Sequence, residues 1–161
     1  MKSLTNYINE KLIINKDYRD TTIVVKSFDE LRKIIKDRYE KLGPGTEQNP
    51  IDFNDIDVSN IDSFCNKTRG IFEGTKFKYI DISDWDVSNV KNMVGMFYRC
   101  KKFNQDISKW NVSSVTDMIG MFYKCESFNQ DISNWDVSKV KQCVYMCDNC
   151  PIKEEYKPKF K

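Results

Sequence analysis

The chain contains no histidine. Its absence removes the commonest general acid and base, the usual partner of a Ser or Cys nucleophile and, besides cysteine, the commonest zinc ligand, so most hydrolase mechanisms lose their centre. Charge of one sign is missing too: Lys and Arg number 26 against 24 Asp and Glu. No excess charge is available to drive binding to nucleic acid or to an anionic membrane surface. Apolar residues nowhere run on for the length of a membrane-spanning helix, and MKSLTNYINEKLIINKDY at the start has no core fit for a signal peptide. The expectation is a soluble chain, cytoplasmic or virion-associated, with neither nucleic acid nor membrane as partner. Six cysteines, at 65, 100, 125, 143, 147 and 150, are an even number that would suggest disulfides in an exported protein. Without an export signal, reduced thiols are expected.

What the chain does have is repetition. WDVSNVKNMVGMFYRCKKFNQDIS (85–108) recurs as WNVSSVTDMIGMFYKCESFNQDIS (110–133) and again as WDVSKVKQCVYMCDNC (135–150), so Trp85, Trp110 and Trp135 mark a period of 25. A degenerate earlier copy runs IDVSNIDSF (56–64) and then GIFEGTKFKYIDIS (70–83). Four coils follow, at 52–80, 81–105, 106–130 and 131–153, within a repeat region of 51–150. In each, apolar residues fall at Ile82, Trp85 and Val87, or at Ile107, Trp110 and Val112, or at Ile132, Trp135 and Val137, and more loosely at Phe53, Ile56 and Val58. This L-x-x-L-x-L pattern ends in the alternation of a half-buried strand. Val90, Met93, Met96 and Phe97 then change period to one face of a short helix, with Ser88, Ser113 and Ser138 placed to cap it. The spacing predicts an α/β fold, a leucine-rich-repeat-like solenoid of four strand–helix coils whose shared core includes the tryptophans.

Residues 1–50 do not repeat. Leu4, Tyr7, Ile8 and Leu12 make a helical stripe, TTIVV (21–25) reads as a strand, and SFDELRKIIKDRYEKLG (27–43) reads as a helix with a Ser27/Glu30 capping box and a Gly43-Pro44 stop. Together they predict an N-terminal helix–strand–helix cap joined by the 43–50 linker. The 151–161 tail carries Pro151 and Pro158 and should lie across the last coil, with Tyr156 and Phe160 folding back to shield it and keep the chain monomeric.

FNQDISKWNVSSVTDMIGMF and FNQDISNWDVSKVK closely resemble the repeat of BspA-like bacterial surface proteins, which includes uncharacterised repeat lipoproteins of mycoplasmas and is usually grouped with leucine-rich repeats. The likeness covers residues 52 to about 150. It departs from the common pattern where Val90, Val115 and Val140 replace a ladder asparagine. The resemblance implies a protein-binding role and display at a cell surface.

Three sets of residues invite a functional reading. Cys143, Cys147 and Cys150 have the C-x-x-x-C-x-x-C spacing of a cluster-binding or zinc site, yet they occupy the core positions of Met93, Phe97 and Cys100 in the last coil. Structural thiols are the expectation; a metal or redox site is the alternative, and no cofactor is expected. Asp52, Asp81, Asp106 and Asp131 recur at the coil starts, where a carboxylate would accept hydrogen bonds from turn N–H groups. The outward phase of the predicted strands carries Asp55, Asp57, Asp84, Asp86, Lys109, Asn111, Asn134 and Asp136, a polar face suited to an unidentified protein partner. No residue set supports catalysis, so the expected function is a non-enzymatic interaction module, with structural self-assembly as a further reading.

Overall fold

The computed structural model describes residues 22–67, 69–74 and 79–160. Its α1 spans Phe28–Leu42, as its caps predict. Ser27 Oγ accepts the Glu30 N–H at 3.2 Å, and the Glu30 carboxylate accepts the Lys26 N–H at 2.9 Å, which satisfies donors that a helix start leaves free. Gly43, at φ +73°, ends the helix in the left-handed region and donates its N–H to the Tyr39 carbonyl. Leu31 and Ile35 bury the apolar stripe against the repeats. The helical stripe expected at Leu4–Leu12 lies outside the described residues.

Six strands of two residues each form three separate two-stranded sheets among the described residues. Within the expected strand at 21–25, β1 (Ile23–Val24) pairs parallel with β3 (Ile56–Asp57). Similarly β2 (Ile51–Asp52) pairs parallel with β6 (Ile80–Asp81), while β4 (Cys65–Asn66) and β5 (Arg69–Gly70) are antiparallel.

The expected leucine-rich-repeat-like solenoid of four strand–helix coils is overturned. No strand forms at 82–87, 107–112 or 132–137, and no helix at 90–97, 115–122 or 140–147. Two local competitors explain this. First, Ser88, Ser113 and Ser138 do not cap helices; their N–H groups donate to Asp86, Asn111 and Asp136 Oδ1 at 3.0, 3.2 and 3.0 Å, closing Asx turns where a strand would have to continue. Second, Gly95 and Gly120, at φ +57° and +56°, and Arg99 and Lys124, at +60° and +57°, take left-handed conformations that a helix cannot contain.

The backbone instead alternates between short turns and bonds to the next copy. Met96, Tyr98 and Cys100 donate locally to the Met93, Gly95 and Phe97 carbonyls. The residues between them reach across: Met93, Gly95, Phe97 and Arg99 N–H donate to the Asp117, Ile119, Met121 and Tyr123 carbonyls at 2.8–2.9 Å. Met118, Gly120, Phe122 and Lys124 repeat the row onto Gln142, Val144, Met146 and Asp148. Isolated parallel bridges Ser63–Asn92, Asn92–Asp117 and Asp117–Gln142 fix the register.

That register stacks like on like in the core. The Phe72, Phe97 and Phe122 rings lie nearly parallel with centroids 5.8 and 5.6 Å apart. Trp85, Trp110 and Trp135 are buried beside them. The Trp85 and Trp135 indole N–H groups donate to the Phe53 and Ile107 carbonyls, whereas Trp110 Nε1 finds no hydrogen-bond partner among the described residues. At the tail, Ile152 and Pro158 are buried, Tyr156 packs on the core and the Ile132 N–H donates to the Tyr156 carbonyl; Phe160 remains exposed.

The helix end is closed by a salt bridge. Arg38, 2% exposed, donates to both Asp55 oxygens at 2.5 and 2.8 Å and to the Asp52 carbonyl at 2.7 Å, and its guanidinium sits 5.3 Å from the Phe53 ring centroid. Removing one partner of such a buried pair strands the other charge, so Arg38→Ala should lower stability by about 3–5 kcal/mol, read as a drop in the urea midpoint. Arg38→Ala combined with Asp55→Ala should recover part of that loss, because no unpaired carboxylate is then left buried.

Candidate functional site

The thiols form a column rather than a centre. Cys100, Cys125 and Cys150 follow the repeat period, and their Sγ–H groups donate to the Phe72, Phe97 and Phe128 carbonyls at 2.8, 2.9 and 3.3 Å. Burial pushes the Cys100, Cys125 and Cys150 thiols above their ordinary range, and Cys147 up to about 12. Among the described residues no group of three or more Cys, Asp or Glu is placed to hold a metal ion.

The polar residues divide by what already holds them. Asp55, 7% exposed, is committed to Arg38. Asp57, Asp86, Asn111 and Asp136 each use Oδ1 on the N–H of Ser59, Ser88, Ser113 or Ser138. Asn134 donates from Nδ2 to the Ser108 carbonyl, tying neighbouring copies together. Asp84, Asp86, Lys109, Asn111, Asn134 and Asp136 are all exposed. These six occupy exposed positions that recur at the 25-residue period, while Asp57 is half-buried and Asp55 is withdrawn to Arg38. The carboxylates at the copy starts do what their spacing predicted: Asp52, Asp81, Asp106 and Asp131 accept the N–H of Asn54, Ser83, Ser108 and Ser133 at 2.9–3.1 Å.

Sequence reasoning missed a third surface. A cleft of about 790 Å³ draws its lining from all four copies: Glu73, then Val94, Tyr98 and Arg99, then Ile119 and Tyr123, then Tyr145, over a floor of Gly95 and Gly120. Tyr98 and Tyr123 stack at 4.9 Å, and Tyr145 meets Tyr123 edge-on at 6.5 Å. Arg99 and Lys124 lie over the Tyr98 and Tyr123 rings at 5.3 and 5.2 Å. The signal was present in GMFYRC and GMFYKC, where Tyr and a basic residue recur together. Tyr145 replaces the floor glycine of the two preceding copies and still takes φ +58°.

Taken together, these features define a chain of repeat-built turns with an aromatic cleft and exposed polar positions that recur with the repeat. Residues 43–157 match the family model described as a Mycoplasma protein of unknown function, DUF285, and the chain belongs to that family. No curated protein and no solved structure matches the chain. Among the described residues no helix is long and apolar enough to cross a membrane.

Two outcomes follow from this geometry. Tyr145→Gly should raise stability by about 1 kcal/mol, since it relieves a bulky side chain of a left-handed backbone that glycine adopts freely; an increased urea midpoint at unchanged slope checks it. The second concerns acid. Hydrogen bonds from Ser59, Ser88, Ser108 and Ser133 hold Asp57, Asp86, Asp106 and Asp131 below the usual carboxylate range. A folded value below the unfolded one of about 3.9 means that their stabilisation is complete above that pH and is lost as pH falls through the folded values. Asn111 makes the same turn with an amide, so Asp86→Asn should still fold but lose the carboxylate's contribution, lowering the melting temperature slightly at pH 7 and flattening its fall on acidification to pH of about 3.

Proposed function

We propose that the chain is a non-enzymatic protein-interaction module of the BspA-like type, working without a cofactor. The observation that carries this reading is the Tyr98–Tyr123 stack in the cleft, flanked by Arg99. Tyr and Arg are the side chains that most often anchor protein interfaces: they offer large area at little entropy cost together with hydrogen-bonding tips. Here the rings are already stacked and held by the backbone row, so ordering them on binding costs little. The row of Asp84, Asp86, Lys109, Asn111, Asn134 and Asp136 offers mixed charge suited to an interface rim, where it sets orientation more than affinity. The resemblance of FNQDISKWNVSSVTDMIGMF to BspA-like repeats supports the same class of activity. That support is a likeness of sequence; the cleft supplies the support at the level of a site.

Affinity capture from the native host tests the reading with three immobilised forms. These are the unaltered chain, Tyr98→Ala with Tyr123→Ala, and the polar-row variant Asp84→Ala, Asp86→Ala, Lys109→Ala and Asn111→Ala. A protein retained by the first form should be lost by at least about tenfold with the tyrosine variant and by less with the polar-row variant. Equal retention by all three forms would remove the cleft from the function, and retention of nothing by the unaltered chain would overturn the module itself.

A further inference from the structure

We infer that the open edge of the last copy, from Lys141 to Asn149, is a docking surface for one more repeat of the same 25-residue kind, supplied by another chain. It rests on the reading of the protein as a binding module but uses a surface other than the stacked tyrosines. The starting observation is the direction of the backbone row. Every bond in it runs from an N–H of one copy to a carbonyl of the next, first from 93, 95, 97 and 99 and then from 118, 120, 122 and 124. The next members are the N–H groups of Cys143, Tyr145, Cys147 and Asn149, and among the described residues none of these makes a hydrogen bond. Lys141 continues a second thread: Lys91 and Thr116 carbonyls each accept from the following copy, through Thr116 and Lys141 N–H, so the Lys141 carbonyl is next to be offered.

The C-terminal segment covers only half of this edge. Tyr156 takes the position a fifth copy would give to the counterpart of Asp131, accepting the Ile132 N–H, and Lys153 N–H donates to Asn129 Oδ1 as Asn129 N–H does to Asn104. Beyond Tyr156 the chain turns onto the core through Pro158; within 141–149 Met146 is buried, while Lys141, Gln142, Val144, Tyr145, Asp148 and Asn149 stay exposed. Side chains show the same boundary. Met93, Met118, Phe97 and Phe122 are fully buried, but their counterparts Cys143 and Cys147 are only half-buried, and Val144 and Tyr145 are 57% and 61% exposed.

The occupant follows from polarity. An ordinary strand edge presents N–H and C=O groups alternately and would set its own donors against this donor row. Two copies of this edge cannot pair either, because donors would face donors. At the opposite end of this molecule, α1 covers the first copy through the Arg38–Asp55 bridge, which removes head-to-tail addition of an intact second copy. A row of carbonyls at two-residue spacing, with apolar side chains beside it, is what the leading side of one of these repeats presents, as 142, 144, 146 and 148 do here.

Amide exchange on the full chain tests this, with a synthetic peptide of residues 106–130 as the added repeat. At peptide of about 1 mM, exchange at Cys143, Tyr145, Cys147 and Asn149 should slow by about tenfold or more, while a peptide of the same composition in scrambled order has no effect. Tyr98→Ala with Tyr123→Ala should leave the slowing intact, which separates this surface from the cleft. Val144→Asp, at an exposed position, should abolish it without changing the melting temperature. Unchanged exchange at the four amides overturns the proposal, and so does exchange in the free chain already as slow as at Met118, Gly120, Phe122 and Lys124.

Discussion

The structure depends on a one-way row of backbone hydrogen bonds between copies. A chain of turns has no ladder of its own, and buried backbone groups without partners would each cost about 1–3 kcal/mol. Alternation resolves this: one N–H closes a turn within its copy, and the next leaves it for the neighbouring carbonyl. The bonds fix the register, and the register in turn puts phenylalanine on phenylalanine and cysteine next to cysteine. Gly70 shows how close the copies come, since a Cβ there would fall on the Gly95 carbonyl. The repeated sequence is therefore a consequence of the bonding geometry as much as its cause: each position meets its own counterpart and must be compatible with it.

A row with direction has two unlike ends, and the chain treats them differently. At the first copy α1 supplies Leu31 and Ile35 against the apolar surface and Arg38 against the Asp52 carbonyl and the Asp55 carboxylate. One guanidinium thus meets both an acceptor of the backbone and a charge, which suits an end where acceptors are left over. At the other end donors are left over. The tail brings a carbonyl to Ile132 and, among the described residues, no acceptor reaches the N–H groups of Cys143, Tyr145, Cys147 and Asn149.

The amount that could be read from sequence follows from how local each feature is. The caps and stop of α1 lie within seventeen residues of chain and were legible, as were the Asx turns at Asp52, Asp81, Asp106 and Asp131, whose partners are two residues away. Burial of the tryptophans was legible because apolar period reports burial whatever the backbone does. The same period does not distinguish a helix face from a string of turns. Val90, Met93, Met96 and Phe97 are all buried as expected, and the helix is still absent, because Gly95 and Arg99 set backbone angles that apolar pattern does not encode. Asp55 was assigned outward for a related reason: alternation gave its phase, but its partner lies seventeen residues back on α1. The tyrosine cleft was overlooked because Tyr98 and Tyr123 fall on the polar side of the helix that was expected there.

Both the apparent metal motif and the side chains that finish the open edge come from the same substitutions in the last copy. Interior copies have methionine and phenylalanine where residues 143 and 147 are cysteine, and a glycine where 145 is tyrosine. Large apolar side chains are stable at those positions only when a neighbouring copy covers them; without that cover they would expose far more apolar surface than a thiol does. Cysteine is small enough to remain half-covered and apolar enough to pack when a neighbour arrives. The three-thiol spacing is therefore the residue of shrinking two core side chains beside a third, Cys150, that the repeat period already required. Tyr145 goes the other way, adding a ring and left-handed strain at the point where the cleft meets the uncovered amides. A last copy that had simply decayed would lose side chains at this border, whereas this one shrinks its apolar side chains at 143 and 147 and adds an aromatic group at 145 beside its free donors.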